Sequence, residues 1–191
     1  MPLAKIRWEN RLMNDNGSRC KISVDGTDYR TNEPWPFNSC WFTPKHNGPG
    51  LRYEVGVCIQ TGWIVWLNGP YPCGEWPDVK TALEQLVYVF EGDERAVADK
   101  GHRGHTMYFD CPWKHLDTAH QKNRKALARA RHECVNRRLK QWRALKECYR
   151  HDLSKHGSIL FAIANIEQLL IQQEPMWQVV YYDRLHNGFN I

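Results

Sequence analysis

The chain has 191 residues, 42% of them apolar and 12% aromatic, with a net charge of +5, which allows one sizeable buried core and excludes a disordered polymer. No apolar run reaches the roughly 18 residues of a membrane span, and the first 14 residues carry scattered charges with no signal-peptide core, so neither a membrane partner nor export is expected. Seven cysteines without a C-x-x-C pair suit neither a disulfide framework nor an ordinary zinc site and predict an intracellular, reducing location.

In chain order, Lys21-Ile-Ser-Val-Asp25 alternates apolar residues before Gly26 and predicts a strand that ends at Asp25. After the Pro- and Asn-rich stretch 31–50, residues 53–60 and 63–67, joined through Thr61-Gly62, predict a β-hairpin. From Asp78 the apolar residues Val79, Ala82, Leu86 and Val89 recur at helical spacing, predicting a helix that ends near Gly92. Arg95-Ala-Val-Ala-Asp99 predicts a second strand closed by an aspartate, and residues 107–109 a short further one. Residues 120–150 contain no Gly or Pro and are rich in Ala, Leu, Lys and Arg. They predict one long helix with an inward stripe of Val135, Leu139, Trp142 and Tyr149, and with Glu133, Arg137 and Lys140 on another face. Gly157 punctuates, and residues 158–172 predict a largely buried last helix.

This order predicts an α/β fold with an RNase H-like mixed sheet, in which antiparallel strands are extended by one parallel to the first; other α/β arrangements share the order. The expected division is a lead-in over 1–20, a core over 21–174 and a tail over 175–191. If the first and fourth strands are parallel neighbours, Asp25 and Asp99 emerge side by side and Glu133 can cross over them. Three converging carboxylates repel unless a cation lies between them, and oxygen ligation suits Mg²⁺ or Mn²⁺ in a two-metal site for phosphodiester chemistry. Taken singly, Asp25 and Asp99 read equally as turn residues, and Glu133 as the salt-bridge partner of Arg137. The segment from Lys114 to Lys155 holds 13 Lys or Arg against four Asp or Glu, a net +9 on a body that is otherwise −4. Such a segment suits a polyanion such as DNA, with Arg131, Arg137, Arg138 and Lys140 as candidate backbone contacts.

Four segments in order also carry a resemblance: Ser23-Val-Asp-Gly-Thr-Asp28, Gly74-Glu-Trp-Pro-Asp78, Ala98-Asp-Lys-Gly101 and Arg131-His-Glu-Cys-Val-Asn-Arg-Arg-Leu-Lys140. Together they resemble the motifs of the DDE superfamily endonucleases of PIF/Harbinger-type transposons. The resemblance implies Asp25, Asp99 and Glu133 as the catalytic triad, Asp78 as a further metal ligand, and, in a eukaryote, a nuclear location. Asp78 read by itself is equally the N-cap of its helix. His102 stands where the family usually has an aromatic, which predicts a looser loop beside Asp99. These transposases carry a helix-turn-helix region before the first strand, and 20 residues precede Lys21, so target recognition is expected from a separate DNA-binding protein. The residues leave open a second reading, a catalytically silent remnant that binds DNA or protein. Trp76-Pro77-Asp78 also matches a phosphatase loop, but no cysteine is followed six residues later by the arginine that chemistry needs.

Overall fold

The computed structural model describes residues 5–176, 180 and 182. Its sheet is built on two long strands, β1 (Cys20–Arg30) and β3 (Gly48–Cys58), which pair antiparallel from Ile22 opposite Cys58 to Arg30 opposite Gly50. The short β2 (Phe42–Thr43) and then β4 (Ile64–Pro72) pair antiparallel with β3 on its other side. On the far side of β1 lie β5 (Arg95–Val97) and β6 (Phe109–Asp110), both parallel to their neighbours. The result is a six-stranded mixed sheet, β2-β3-β1-β5-β6 with β4 also on β3, in an α/β fold.

The expected hairpin is present, its strands longer at their open ends but stopping at Cys58 and resuming at Ile64 around the turn, whereas the expected strand end at Asp25 is corrected. Strand β1 continues five residues further because β3 offers a partner for every one of them. Gly26 lies within the ladder opposite Glu54 and makes no turn there.

Alternation along β1 and β3 then sorts their side chains between two layers. Ile22 and Val24 join Cys58, Ala82 and Leu86 in a core beneath α1 (Asp78–Glu84) and the 3₁₀ turn Leu86–Val89 that follows it. The expected helix to Gly92 is thus a short α-helix and a separate turn, with the predicted apolar residues Ala82 and Leu86 both buried. Tyr53, Val55 and Val57 face the opposite way, against α2 (Ala119–Leu139) and α4 (His156–Gln173) through Val135, Leu139, Leu160 and Ala164. Helix α4 contains Gly157 within it and is amphipathic, with Phe161, Ile166 and Leu170 exposed.

Helix α2 starts at a capping box, with the Thr118 hydroxyl accepting from the Gln121 amide at 3.2 Å and the Gln121 side chain accepting from the Thr118 amide at 2.8 Å. It ends at Leu139, well short of Arg150, followed by the single turn α3 (Arg143–Lys146). Tertiary bonding overrides the helix-forming sequence here. The Tyr149 amide donates to the Arg30 carbonyl at 2.8 Å and the Asn32 amide to the Tyr149 carbonyl at 3.0 Å, fastening this stretch to the end of β1. Val135, Leu139 and Tyr149 of the expected stripe are all buried, but Tyr149 is buried by this bridge instead of by a helix. Among the described residues no helix is long and apolar enough to cross a membrane.

The 3₁₀ turn Trp8–Leu12 lies against the α1 layer. Arg11, 1% exposed at its side chain, meets Glu94 through Nε–Oε1 at 2.8 Å and Nη2–Oε2 at 3.1 Å, and Trp8 stands edge-on to Trp66 at 5.7 Å. The expected tail, 175–191, lies outside the described residues except for 175, 176, 180 and 182; the buried Tyr182 donates to Asp110 Oδ2 at 2.6 Å. Arg11 Nη2 also meets the exposed Glu91 at 2.9 Å, so Glu94→Gln removes the buried partner without stranding the guanidinium and should lower unfolding stability by about 2 kcal/mol in a urea titration. A change below about 0.5 kcal/mol would show that the Arg11 pair does not hold the first turn to the body.

Candidate active site

Strand β5 stops at Val97, opposite Ser23, so β1 loses its neighbour on that side two residues before Asp25. The edge of β1 is open from there on, and four acidic residues gather at the opening. Asp25, Asp78, Asp99 and Glu133 all line one cavity of about 580 Å³.

They reach it from different elements. Asp25 comes from β1 on the face covered by α2, where its neighbour Ser23 lies 3.0 Å from His132 Nδ1. Glu133 is exposed on α2, and Arg129 and Arg137, one turn before and after it, line the same cavity with Lys140. Asp99 follows β5 and caps the 3₁₀ turn Lys100–His105, its Oδ1 accepting from the Gly101 amide at 2.8 Å. His102 does not loosen this loop, as its departure from the usual aromatic predicted. It is 1% exposed, packs edge-on against Phe109 at 4.8 Å and places Nδ1 3.0 Å from Asp99 Oδ1. It thus replaces the packing of an aromatic and adds a polar hold on the carboxylate.

Asp78 arrives from the other face of the sheet. It is the first residue of α1, whose N-cap is Pro77 and has no side-chain cap bond, so the reading of Asp78 as an N-cap is corrected. Its carboxylate lies over Gly26, where a Cβ would fall 1.8 Å from Asp78 Oδ1. Gly26 is therefore a window through which a side chain from the α1 layer reaches the edge beside Asp25. Arg52 Nε stands 3.1 Å from the same oxygen.

The charges in the cavity act on one another. Burial, then the nearby Asp78 carboxylate, pushes the Asp25 carboxyl up to about 6; Asp99 and Glu133 add to the push and Lys45 opposes it. Asp99 is held below the usual carboxylate range, chiefly by His102. Lys140 is lowered by burial and by the neighbouring Lys45. Lys45 reaches the cavity from the loop before β3, donating to the Gly26 carbonyl at 3.3 Å.

The four candidate phosphate contacts separate. Arg137 and Lys140 line the cavity, but Arg131 is 5% exposed and donates to the Gln60 carbonyl at 2.7 Å, which removes it from a DNA-facing set. Arg138 turns toward α4, 3.9 Å from Glu167. Sequence reading missed Lys45, Arg52, Gly26 and Arg129. Arg129 was legible from its four-residue spacing to Glu133, whereas Lys45 and Arg52 carry no local signal and are placed by strand pairing.

Residues 24–167 match a family described as DDE superfamily endonuclease. The chain belongs to this family. No curated protein and no solved structure matches it. Membership points to a transposase-type nuclease, and the matched span contains all four acidic positions.

The donors around the cavity fit a hard divalent cation. The four acidic residues offer only oxygens, Asp78 Oδ1 is buried with no hydrogen-bond donor, and the charge of Asp25 is repelled by its neighbours. Among the described residues no three Asp, Glu, His or Cys side chains already stand at ligand spacing, so binding an ion would draw the carboxylates together.

Because the Asp25 carboxyl is raised in the folded protein, its contribution to stability is full below about pH 4 and is lost as pH rises through about 6. In chelator at pH 8, Asp25→Asn should therefore stabilise the protein by about 2 kcal/mol, seen as a higher Tm, and the gain should disappear near pH 4. An equal or lower Tm for Asp25→Asn at pH 8 would mean that the carboxylates do not crowd as described.

Proposed function

We propose that this endonuclease-family chain is a divalent-metal-dependent DNA-cleaving core, with Asp25, Asp99 and Glu133 as the catalytic triad and Asp78 as a further ligand. The observation that carries the reading is the convergence of those four carboxylates on one cavity flanked by cations. The antiparallel β1–β3–β4 set extended by a parallel β5 supports an RNase H-like sheet, and the four motifs support a PIF/Harbinger-type subtype.

Two Mg²⁺ or Mn²⁺ ions held by these carboxylates would activate the attacking water and stabilise the leaving oxygen. The chain's own groups do the rest. His102 fixes Asp99 toward the cavity, while Lys45, Arg129, Arg137 and Lys140 neutralise the phosphates on either side of the scissile bond. Those contacts go to the backbone, so they give affinity without sequence preference, and target choice falls to a separate DNA-binding protein. The rival reading, a silent remnant that binds DNA or protein, draws on the wide spacing of the carboxylates.

Purified protein should nick plasmid DNA in Mg²⁺ or Mn²⁺, and Asp25→Asn should abolish nicking while retaining salt-sensitive DNA binding, because asparagine keeps the shape but not the charge that holds the ions. Mn²⁺ titration separates the readings independently of turnover. Wild type that binds Mn²⁺ no better than Asp25→Asn is the remnant.

Binding should also weaken steeply with salt, the logarithmic slope falling by about 0.9 for each phosphate neutralised. Arg129→Ala with Arg137→Ala should reduce that slope by about 2 for every DNA sequence alike. An unchanged slope would place the DNA elsewhere on the molecule.

A further inference from the structure

Arg52 is nearly buried beside the cavity and has no part in the chemistry outlined above. It stands on β3 directly opposite Asp28 on β1, and cross-strand pairing puts both on the α1 face of the sheet. Its Nε donates to Asp28 Oδ1 at 2.8 Å and its Nη2 to Asp28 Oδ2 at 2.9 Å, a two-point grip. Its Nη1 donates to the Trp76 carbonyl at 2.9 Å, two residues before Asp78. Asp28 is itself fixed, its Oδ2 also accepting from the Thr43 hydroxyl at 2.9 Å.

The relation to Asp78 is of another kind. Nε lies 3.1 Å from Asp78 Oδ1, within ion-pair distance, yet that oxygen is buried and receives no hydrogen bond. Both facts follow from the single hydrogen on Nε, which points at Asp28. Asp78 therefore feels the guanidinium's charge while the lone pairs of Oδ1 stay unused.

We propose that Arg52 is a positioning residue: anchored by Asp28 and by the Trp76 carbonyl, it holds Asp78 over Gly26 by charge alone and leaves Oδ1 free of any hydrogen bond that a divalent cation would have to displace. This rests on the metal-site reading above and assigns Arg52 a part in it. An N–H aimed at Oδ1 would have to be broken before the oxygen could ligate, whereas a charge without a directed hydrogen holds the carboxylate in place until the stronger cation arrives. The planar fork is needed because three acceptors are served from one head group, which a lysine ammonium on a flexible stem does not reproduce.

Mn²⁺ titration of the folded proteins tests this without turnover. Arg52→Gln should bind Mn²⁺ about 10–100-fold more weakly than wild type, the range seen when groups that orient metal ligands are removed. Should the buried Asp28 charge prevent Arg52→Gln from folding, Arg52→Lys keeps the charge and should still lose affinity. A purely structural role is separated by a double-mutant cycle: in an Asp78→Asn background, Arg52→Gln or Arg52→Lys should cause no further loss, because Arg52 acts through Asp78. Multiplying losses would overturn the proposal, as would wild-type affinity in both Arg52 variants while Asp25→Asn still abolishes binding. Wild type that binds no Mn²⁺ overturns the metal site itself and this role with it.

Discussion

Repulsion among the carboxylates at the open edge of β1 is the constraint on which the rest of the site depends. Four acidic side chains around one cavity disfavour the folded state wherever they are ionised, and at Asp25 this repulsion adds to burial, the larger cause, in raising the carboxyl. The surroundings answer it residue by residue. His102 takes up Asp99, Arg52 takes up Asp78, and Lys45 and Lys140 bring positive charge to the cavity wall. None of these contacts pairs with Asp25 itself, which leaves it as the carboxylate with most to gain from a cation.

How much of this the sequence disclosed follows from the range over which each signal acts. Asp25, Asp99 and Glu133 were legible because each sits in a local pattern, an alternating strand, a short apolar run before Lys-Gly and a helix face. The true extent of β1 was not, because Gly after Asp reads as a turn, and only the unbroken partner β3 keeps the chain extended through Gly26. The early end of α2 was hidden for the same reason, since Tyr149 is held by backbone bonds to β1, more than a hundred residues away in sequence. Arg52 and Lys45 belong to this class too. Their roles exist only once β3 lies against β1.

Charge counting locates the basic segment but does not sort its cations, which the structure does. The segment suits a polyanion by its net charge, yet four of its 13 Lys and Arg side chains are engaged within the molecule. Lys125 is buried, with Nζ 2.8 Å from both Asp110 and Asp117, and donates to the Cys111 carbonyl. Arg124 lies over the Tyr182 ring, Arg131 on the Gln60 carbonyl and Arg138 near Glu167. What remains at the cavity is a narrow helical stripe, Arg129, Arg137 and Lys140, supplemented by Lys45 from a different segment altogether. A narrow stripe along one helix suits the backbone of one strand near the scissile bond better than a wide grip on a duplex.

The shortness of β5 ties the architecture to the chemistry. Asp25 and Glu133 belong to the face covered by α2, and Asp78 to the face covered by α1, so in a continuous sheet the backbone would separate them. Because β5 ends at Val97, no strand lies on that side of Val24 to Thr27, and groups from the two faces meet around the free edge. Gly26 at that edge removes the last side chain between them. A β5 two residues longer would bond to the edge and place Asp99 within the ladder. The three-residue strand and the 3₁₀ turn that follows it are therefore what turn a two-faced sheet into a single site, and the His102 contact that holds that turn shut acts on the site's geometry as well as on one aspartate.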